Sequence, residues 1–520
     1  MTADGVQQKD GAVSFKSAAV ILGVALLLLG LVRLTWNIAT DWFYTPDDTY
    51  ITFRYSWNLV HGRGPIYTAG APHSEGCTTF LWLLLMAIPH LLSLDPLLFS
   101  KLFGTLLTYA TAALIFIGAY RLAPTETRND IRVLCASVGV FAFACYVPTA
   151  AHAVSGMETA LHAFLATLFF LLIASVKELS VKRIAAIPIT ALLLCLNRPD
   201  GVLIAGVCLA WCVLSTEGGL RRALLRACLL WLILPGALFM GWRVWFYQHL
   251  LPLPFYIKYG GAAAPGLEYM TRFLDLLFAV IGVPLALLVT RRDVLVRVVP
   301  ILISVALFIL FYCHVAPIMN FNWRFTYPMV PILFALAGAG LGSLASHRPR
   351  KLSARALGLA AMTAASLGAL FTFAQFNAGR KIDLEKKRSY ASGLSAAHIR
   401  LGGQLSKMDP QTLLAMGDAG AAAYLGKCRA IDTLGLNDAH IALNGHDPKY
   451  ILDQHPSFIV VVSQSATNFV VVPEIGYEEQ LYQKSIGAGY RLCEVLTFDH
   501  GYHLWVLSNT PATGEQLRGG

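Results

Sequence analysis

Two adjacent carboxylates, Asp47 and Asp48, open the stretch PDDTYITFRY (46–55), and Arg54 follows within it. A carboxylate pair can take the proton of an incoming hydroxyl as a general base, or ligate a divalent cation. An Asp ahead of a helix is commonly its N-cap, which accounts for one carboxylate and not for two. Arg54 could bind a phosphate or lay its stem along an interface with its head in water. Glu75, in APHSEGCTTFLW (71–82), either caps the next helix or adds a further carboxylate. Glu158, in SGMET (155–159), stands where a helix dipole favours an acid. In NRPDG (197–201) turn chemistry explains Asp200, while Arg198 invites another role. Lys258 closes LPLPFYIK (251–258) and Arg324 lies in FNWRF (321–325). Basic groups among aromatic rings serve either as interfacial anchors or as ligands for a lipid-linked phosphate.

The elements that position these residues are membrane spans. Of 520 residues 56% are hydrophobic and 13% charged, with mean hydropathy +0.59; a soluble chain carries about 25% charged residues. Apolar runs near the bilayer-spanning length of about 20 residues recur from residue 17 to about 373, and a mixed composition follows. The net charge of +10 sits in short clusters between those runs, which is the positive-inside pattern and gives no reason to expect a nucleic-acid partner. The basic connections 121–132, 177–183, 221–226, 291–297 and 347–355 are therefore expected in the cytoplasm. The loops 37–75, 152–159, 197–201, 251–260 and 316–325 then face outward, and with them every candidate above, together with His73, His152 and His314. Ionisable groups at membrane depth are costly, so a cluster of them at the outer span ends reads as a functional site.

The predicted organisation is a short cytoplasmic N-terminus (1–16), a transmembrane body (17–375) whose first span is a retained anchor, and a soluble α/β domain (380–520) on the outer side. With the N-terminus inside, 76–120 must cross an odd number of times although it contains two apolar runs. The run 76–93 is then re-entrant or interfacial, giving 11 spans, with 12 as the alternative. Following Asp48, TYITFRYSWNLV is expected to be an amphipathic helix ended by HGRG (61–64). Strand-like and helical stretches alternate after residue 412, with Asp418 and Asp432 following strands in turn or cap roles, or touching an acceptor glycan. Cys428 and Cys493 are candidates for a disulfide there; the other eight cysteines lie in or beside apolar segments.

DDTYITFRYSWNLVHGRGPIYTAGAPHSEGCTTFLW (47–82) resembles the first outer loop of GT-C glycosyltransferases of the terminal arabinofuranosyltransferase type. SGMETAL (155–161), RPDG (198–201), LPLPFYIK, WRFTYPMVP (323–331) and GDAGAAAYLGKCRAIDTLGLND (417–438) extend the resemblance over nearly the whole chain. It implies a multi-span enzyme that moves a sugar from a polyprenyl phosphate to a cell-envelope glycan or glycoprotein, on the periplasmic face of a bacterial inner membrane. It also implies Asp47 as the base, with Asp48 its partner in holding geometry, a divalent cation or the acceptor. Arg54, Arg198, Lys258 and Arg324 are the cations available to the departing phosphate, Lys258 and Arg324 foremost, and Glu75 and Glu158 are further substrate-binding candidates. Thr49 replaces the usual Ala and Cys77 the usual Tyr, which removes an aromatic platform from the acceptor side.

Two other readings compete. A transporter or flippase of lipid-linked sugars would carry polar groups or broken helices near mid-span, often in matching halves, and the sequence has neither charged mid-span residues nor an internal repeat. A glycan-binding module on a membrane scaffold would not need the paired carboxylates. No phosphate-binding loop, zinc-ligand cluster or nucleophile elbow is present in the sequence.

Overall fold

The computed structural model describes residues 4–258, 263–315, 320–346 and 354–519. The chain is a multi-pass α-helical membrane protein with a small C-terminal α/β region. Among the described residues five helices are long and apolar enough to cross a membrane, or up to seven if each of two bent pairs makes one span. Large apolar side chains on the outside of the bundle, such as Ile21, Leu29, Val32, Leu214 and Trp245, stand exposed; on a lipid-facing helix that exposure carries no penalty. The expected 11 spans came from counting apolar runs. Four of those runs form shorter apolar helices, Phe80–Leu91, Thr159–Ala174, Ala186–Asn197 and Gly201–Ser215. The 12-residue Phe80–Leu91 rises only about 18 Å at roughly 1.5 Å per residue, short of a hydrocarbon core of about 30 Å. Sequence breakers explain where runs divide: Pro199 and Gly201 separate two helices, and ahead of Pro235 the helix widens to a π-turn over Leu229–Ile233.

The first outer loop holds one helix, Thr49–Val60, ended at His61 as expected. Its surroundings differ from the interfacial expectation: Tyr50, Phe53, Arg54, Tyr55, Ser56 and Asn58 are all buried, because the C-terminal region packs onto it. A seam of Tyr55, Tyr67, Cys77, Ala419, Ala423 and Ala430 joins the two.

That region carries five strands, β1 (Leu413–Met416), β2 (Arg429–Asp432), β3 (Phe458–Ser463), β4 (Arg491–Asp499) and β5 (Tyr502–Ser508), in the order β2-β1-β3-β5-β4. β1 runs parallel to β2 and β3, with Leu414 opposite Phe458, and β5 pairs antiparallel with β3 and β4. The period of two along each strand divides the core. Leu414, Met416, Phe458, Val460 and Val506 pack against Ala397, Leu401 and Leu405 on one face, while Ala415, Ile459, Val461 and Trp505 meet Ile441, Ile451 and Leu481 on the other. Cys428 and Cys493 are both free. Cys428 abuts β2 and Cys493 lies on β4, the two opposite edges of the sheet; strands about 4.8 Å apart put them far beyond the roughly 7 Å that a disulfide allows.

Candidate functional site

Asp47 and Asp48 part company. The Asp47 carboxylate turns to the C-terminal region, where Oδ2 accepts the Gly420 N–H at 3.0 Å and Oδ1 the Ala421 N–H at 2.8 Å. Its own N–H donates to the Tyr390 hydroxyl at 3.0 Å. Neither aspartate caps Thr49–Val60 with its side chain; Asp47 instead satisfies the amides that open Ala421–Gly426. Gly420 is obligatory there, since a Cβ would lie 2.2 Å from both the Asp47 carbonyl oxygen and Oδ2. Burial pushes the Asp47 carboxyl up to about 6, with His398 opposing and Asp418 adding to the rise. With one backbone amide on each oxygen, Asp47 docks the C-terminal region onto this loop, and its carboxylate faces that region rather than the Arg324 cluster.

Asp48 points the other way. Its Oδ2 accepts from Arg324 Nη1 at 3.2 Å, and the side chain keeps 18% exposure. Arg324 Nη2 reaches Glu158 Oε1 at 3.2 Å, the same oxygen that accepts from Arg198 Nη1 at 3.1 Å. Arg198 in turn holds Asp200 Oδ2 at 2.9 Å, and the Tyr312 hydroxyl donates to that oxygen at 2.6 Å. One connected chain of charge therefore links four segments that lie far apart in sequence. In a low-dielectric setting such pairs survive only when their remaining donors and acceptors are also satisfied.

Local conformation explains how each member arrives. Gly156 adopts φ +79°, and a Cβ there would come 2.6 Å from Thr49 Cγ2; a side chain is excluded where the Glu158 turn meets the Asp48 helix. The Thr49 hydroxyl donates to the Ser155 carbonyl at 2.8 Å, so the Thr found in place of Ala fastens those two loops together. Asn322 and Trp323 both take positive φ, 50° and 59°, which costs energy in residues with a Cβ and turns Arg324 into the cluster. His152 Nε2 secures this turn on the Asn322 carbonyl at 2.7 Å, and the Trp323 ring packs 5.0 Å from that of Tyr269.

Glu158, Arg198, Asp200, Tyr312 and Arg324 form the polar wall of a cavity of about 370 Å³, whose other walls include Thr79, Leu251, Pro254, Phe255, Phe311 and Phe325. A charged wall facing an apolar channel suits a ligand with a phosphate head and a hydrocarbon tail. Asp48 meets this wall only through Arg324, and its Oδ1 makes no hydrogen bond among the described residues.

The other candidates are placed elsewhere. Arg54 is buried and donates to the carbonyls of Tyr67 (2.7 Å), Cys428 (2.7 Å) and Ala423; it clamps the helix Thr49–Val60 to the C-terminal region and does not line the Arg324 cavity. Glu75 caps no helix: Arg243 pairs with both of its oxygens, at 2.7 and 2.5 Å, and burial pushes its carboxyl up against that partner. Lys258 ends the helix Leu253–Lys258 that follows the cavity wall; its side chain lies outside the described residues. Asp432 has the turn role, accepting the Leu434, Gly435 and Asn437 amides at 3.0, 3.1 and 2.9 Å. Asp418 accepts from His398 Nε2 and from the Tyr502 hydroxyl, each at 2.8 Å. Sequence reasoning missed Arg243 and Tyr312, which sit inside apolar runs, although a lone Arg in such a run is itself a signal that a buried acid awaits it. It also missed Asp41, fully buried against Arg380 and Lys387 at 2.5 and 2.9 Å.

A shared cation on Asp47 and Asp48 would need both carboxylates to face one point, and they face different partners. Among the described residues no three His, Cys, Asp or Glu side chains are grouped so as to hold a metal ion.

A family described as a domain of unknown function (DUF8728) matches residues 390–510. No curated protein matches the sequence. Among solved structures, ArnT from Cupriavidus metallidurans bound to undecaprenyl phosphate superposes with a TM-score of 0.59 at 13% identity, covering 94% of this chain and 98% of that one. The arabinofuranosyltransferase AftD from Mycobacteria aligns with a TM-score of 0.47 at 15% identity, over 84% of this chain and 35% of that one. The oligosaccharyltransferase AglB from Archaeoglobus fulgidus, in complex with a dolichol phosphate, aligns at 0.47 and 12% identity, over 87% and 69%. The likeness to ArnT extends over 94% of this chain, and the two share a fold.

Proposed function

We propose that the protein is a glycosyltransferase that moves a sugar, arabinofuranose by its sequence resemblance, from a polyprenyl phosphate to a cell-envelope glycan or glycoprotein on the periplasmic side of a bacterial inner membrane. The observation that carries this reading is the Asp48–Arg324–Glu158–Arg198 chain on the wall of an otherwise apolar cavity. The undecaprenyl phosphate held by ArnT, whose fold is shared, supports a lipid phosphate as the donor's leaving group.

In this reading the donor's lipid enters along Phe255, Phe311 and Phe325, and its phosphate meets Arg324 and Arg198, with Lys258 added from the neighbouring helix. Negative charge grows on the phosphate oxygen as the glycosidic bond breaks, and guanidiniums already fixed by carboxylates stabilise it without reorganising. Asp48, with one oxygen uncommitted, takes the proton of the acceptor hydroxyl; Glu158 holds both arginines in place. Asp47 holds the soluble region over the site.

The test is transfer from a radiolabelled polyprenyl-phosphate arabinose to envelope glycan by the purified full chain. Asp48→Asn is expected to lower the rate by about 10² to 10⁴, the usual contribution of a general base, with its melting temperature kept. Wild-type turnover in that variant would remove Asp48 as the base.

A further inference from the structure

A second cavity, of about 300 Å³, lies between the helix Thr49–Val60 and the soluble region, bordered by Arg54, Trp57, Arg63, Tyr424, Lys427 and Arg429. Four of these six are basic, and among the described residues none of the four makes an ion pair; burial, and then the charge of Arg54, lower the Lys427 ammonium to about 7. Arg54 is fixed by three backbone carbonyls, which leave its charge uncompensated. Lys427 Nζ rests 3.8 Å from the ring centres of both Trp57 and Tyr424. Its backbone sits at φ 52°, a conformation uncommon for a residue with a Cβ. Arg63 is exposed and touches only Asn58 Oδ1, at 3.3 Å.

Isolated basic residues near a membrane surface are ordinary anchors, and scattered ones would need no further account. Here they converge from two segments far apart in sequence onto one concavity, where like charges repel unless an anion joins them. We propose that this cavity binds a phosphate-bearing group, a phosphomonoester or phosphodiester carried either by an anionic phospholipid head or by a soluble phosphorylated glycan. Phosphate is favoured over a carboxylate by charge and shape. Guanidinium forks match its oxygens two at a time, and several cations exceed what a single carboxylate would balance. The volume is at the low end for small-molecule sites and exceeds what a bare ion fills. No residue lines both cavities. The site is thus distinct from the transfer cavity and would stand even if that function were disproved.

Binding is measured on the purified full chain in neutral detergent without phosphate buffer, with glycerol 3-phosphate as the soluble probe, by titration calorimetry. A second arm uses nanodiscs of phosphatidylcholine with and without phosphatidylglycerol, with retained lipid read by native mass spectrometry. Saturable binding in one arm is expected and names the source. Its affinity should fall at least tenfold in the double variant Arg63→Gln, Arg429→Gln, and should weaken with salt. If the double variant melts early, Arg63→Gln alone, changed at an exposed side chain, should weaken binding at least threefold. Absence of saturable binding in both arms, or unchanged affinity in the variants, would overturn the proposal.

Discussion

Asp48 and Glu158 are joined through a single guanidinium: Arg324 gives Nη1 to the first and Nη2 to the second, at 3.2 Å each. The planar fork gives each carboxylate a nitrogen of its own, whereas an ammonium would serve both from one atom. Arg324→Lys, which keeps the charge, is therefore expected to lose at least tenfold in transfer rate, mainly in kcat. Steady-state assay with the lipid donor checks this. A rate equal to wild type would show that charge alone matters there.

Arg54 is tied to docking, so its loss should appear in stability before catalysis. Removing a buried guanidinium that serves three carbonyls leaves those acceptors unpaired, at a cost of about 3 kcal/mol or more. Arg54→Ala should release the C-terminal region to limited proteolysis between the last membrane helix and β1. An unchanged digestion pattern would contradict the clamp.

At Gly420 the prediction is steric. A methyl group would sit 2.2 Å from Asp47, and the neighbour is backbone as well as side chain, so it cannot simply swing aside. Gly420→Ala should lower the melting temperature and reduce transfer together. Asp47→Ala in the same chain should recover part of the stability, since it removes Oδ2 from the clash.

Stability should fall as pH rises from about 5 to about 8. Burial pushes Glu478 up to about 8 and Asp432 up to about 7, and Asp47 up to about 6. A carboxyl whose folded pKa lies above its unfolded value favours the folded state while protonated, and that advantage is lost as pH climbs through the folded value. His398 has the same sign: burial opposes its charge, Asp418 outweighs burial, and the raised pKa gives stability that disappears on the alkaline side. The Asp418 carboxyl, lowered by His398 against burial, contributes only above its unfolded pKa and is flat across this window. Glu478→Gln should flatten the profile of melting temperature against pH, and an unchanged slope would sink the assignment.

Much of the candidate site was legible because membrane sequences leave few reasons for an acid or an arginine at a span end. Asp48, Glu158, Arg198 and Arg324 stood out on that ground, and the structure brings them into one chain. The division of labour between Asp47 and Asp48 was not legible. It depends on amides at Gly420 and Ala421, a contact that no periodicity or spacing encodes. Arg243 was hidden for the opposite reason: MGWRVWF reads as apolar, and only the fold shows Glu75 beside it. Helix lengths were not legible: apolar runs such as 184–196 and 201–215 form helices of 12 and 15 residues, shorter than the usual spanning length.

The Asp47 contact joins residues 373 positions apart in the chain. At synthesis rates of about 5–20 residues per second, the first outer loop waits roughly 20–75 s for the segment that will cover it. During that interval Arg54 and Asp47 lack their partners, and the nascent bundle has no finished centre. Order of manufacture thus sets the order of assembly: the Asp47 and Arg54 contacts close only after the segment from Gly420 to Cys428 has left the ribosome.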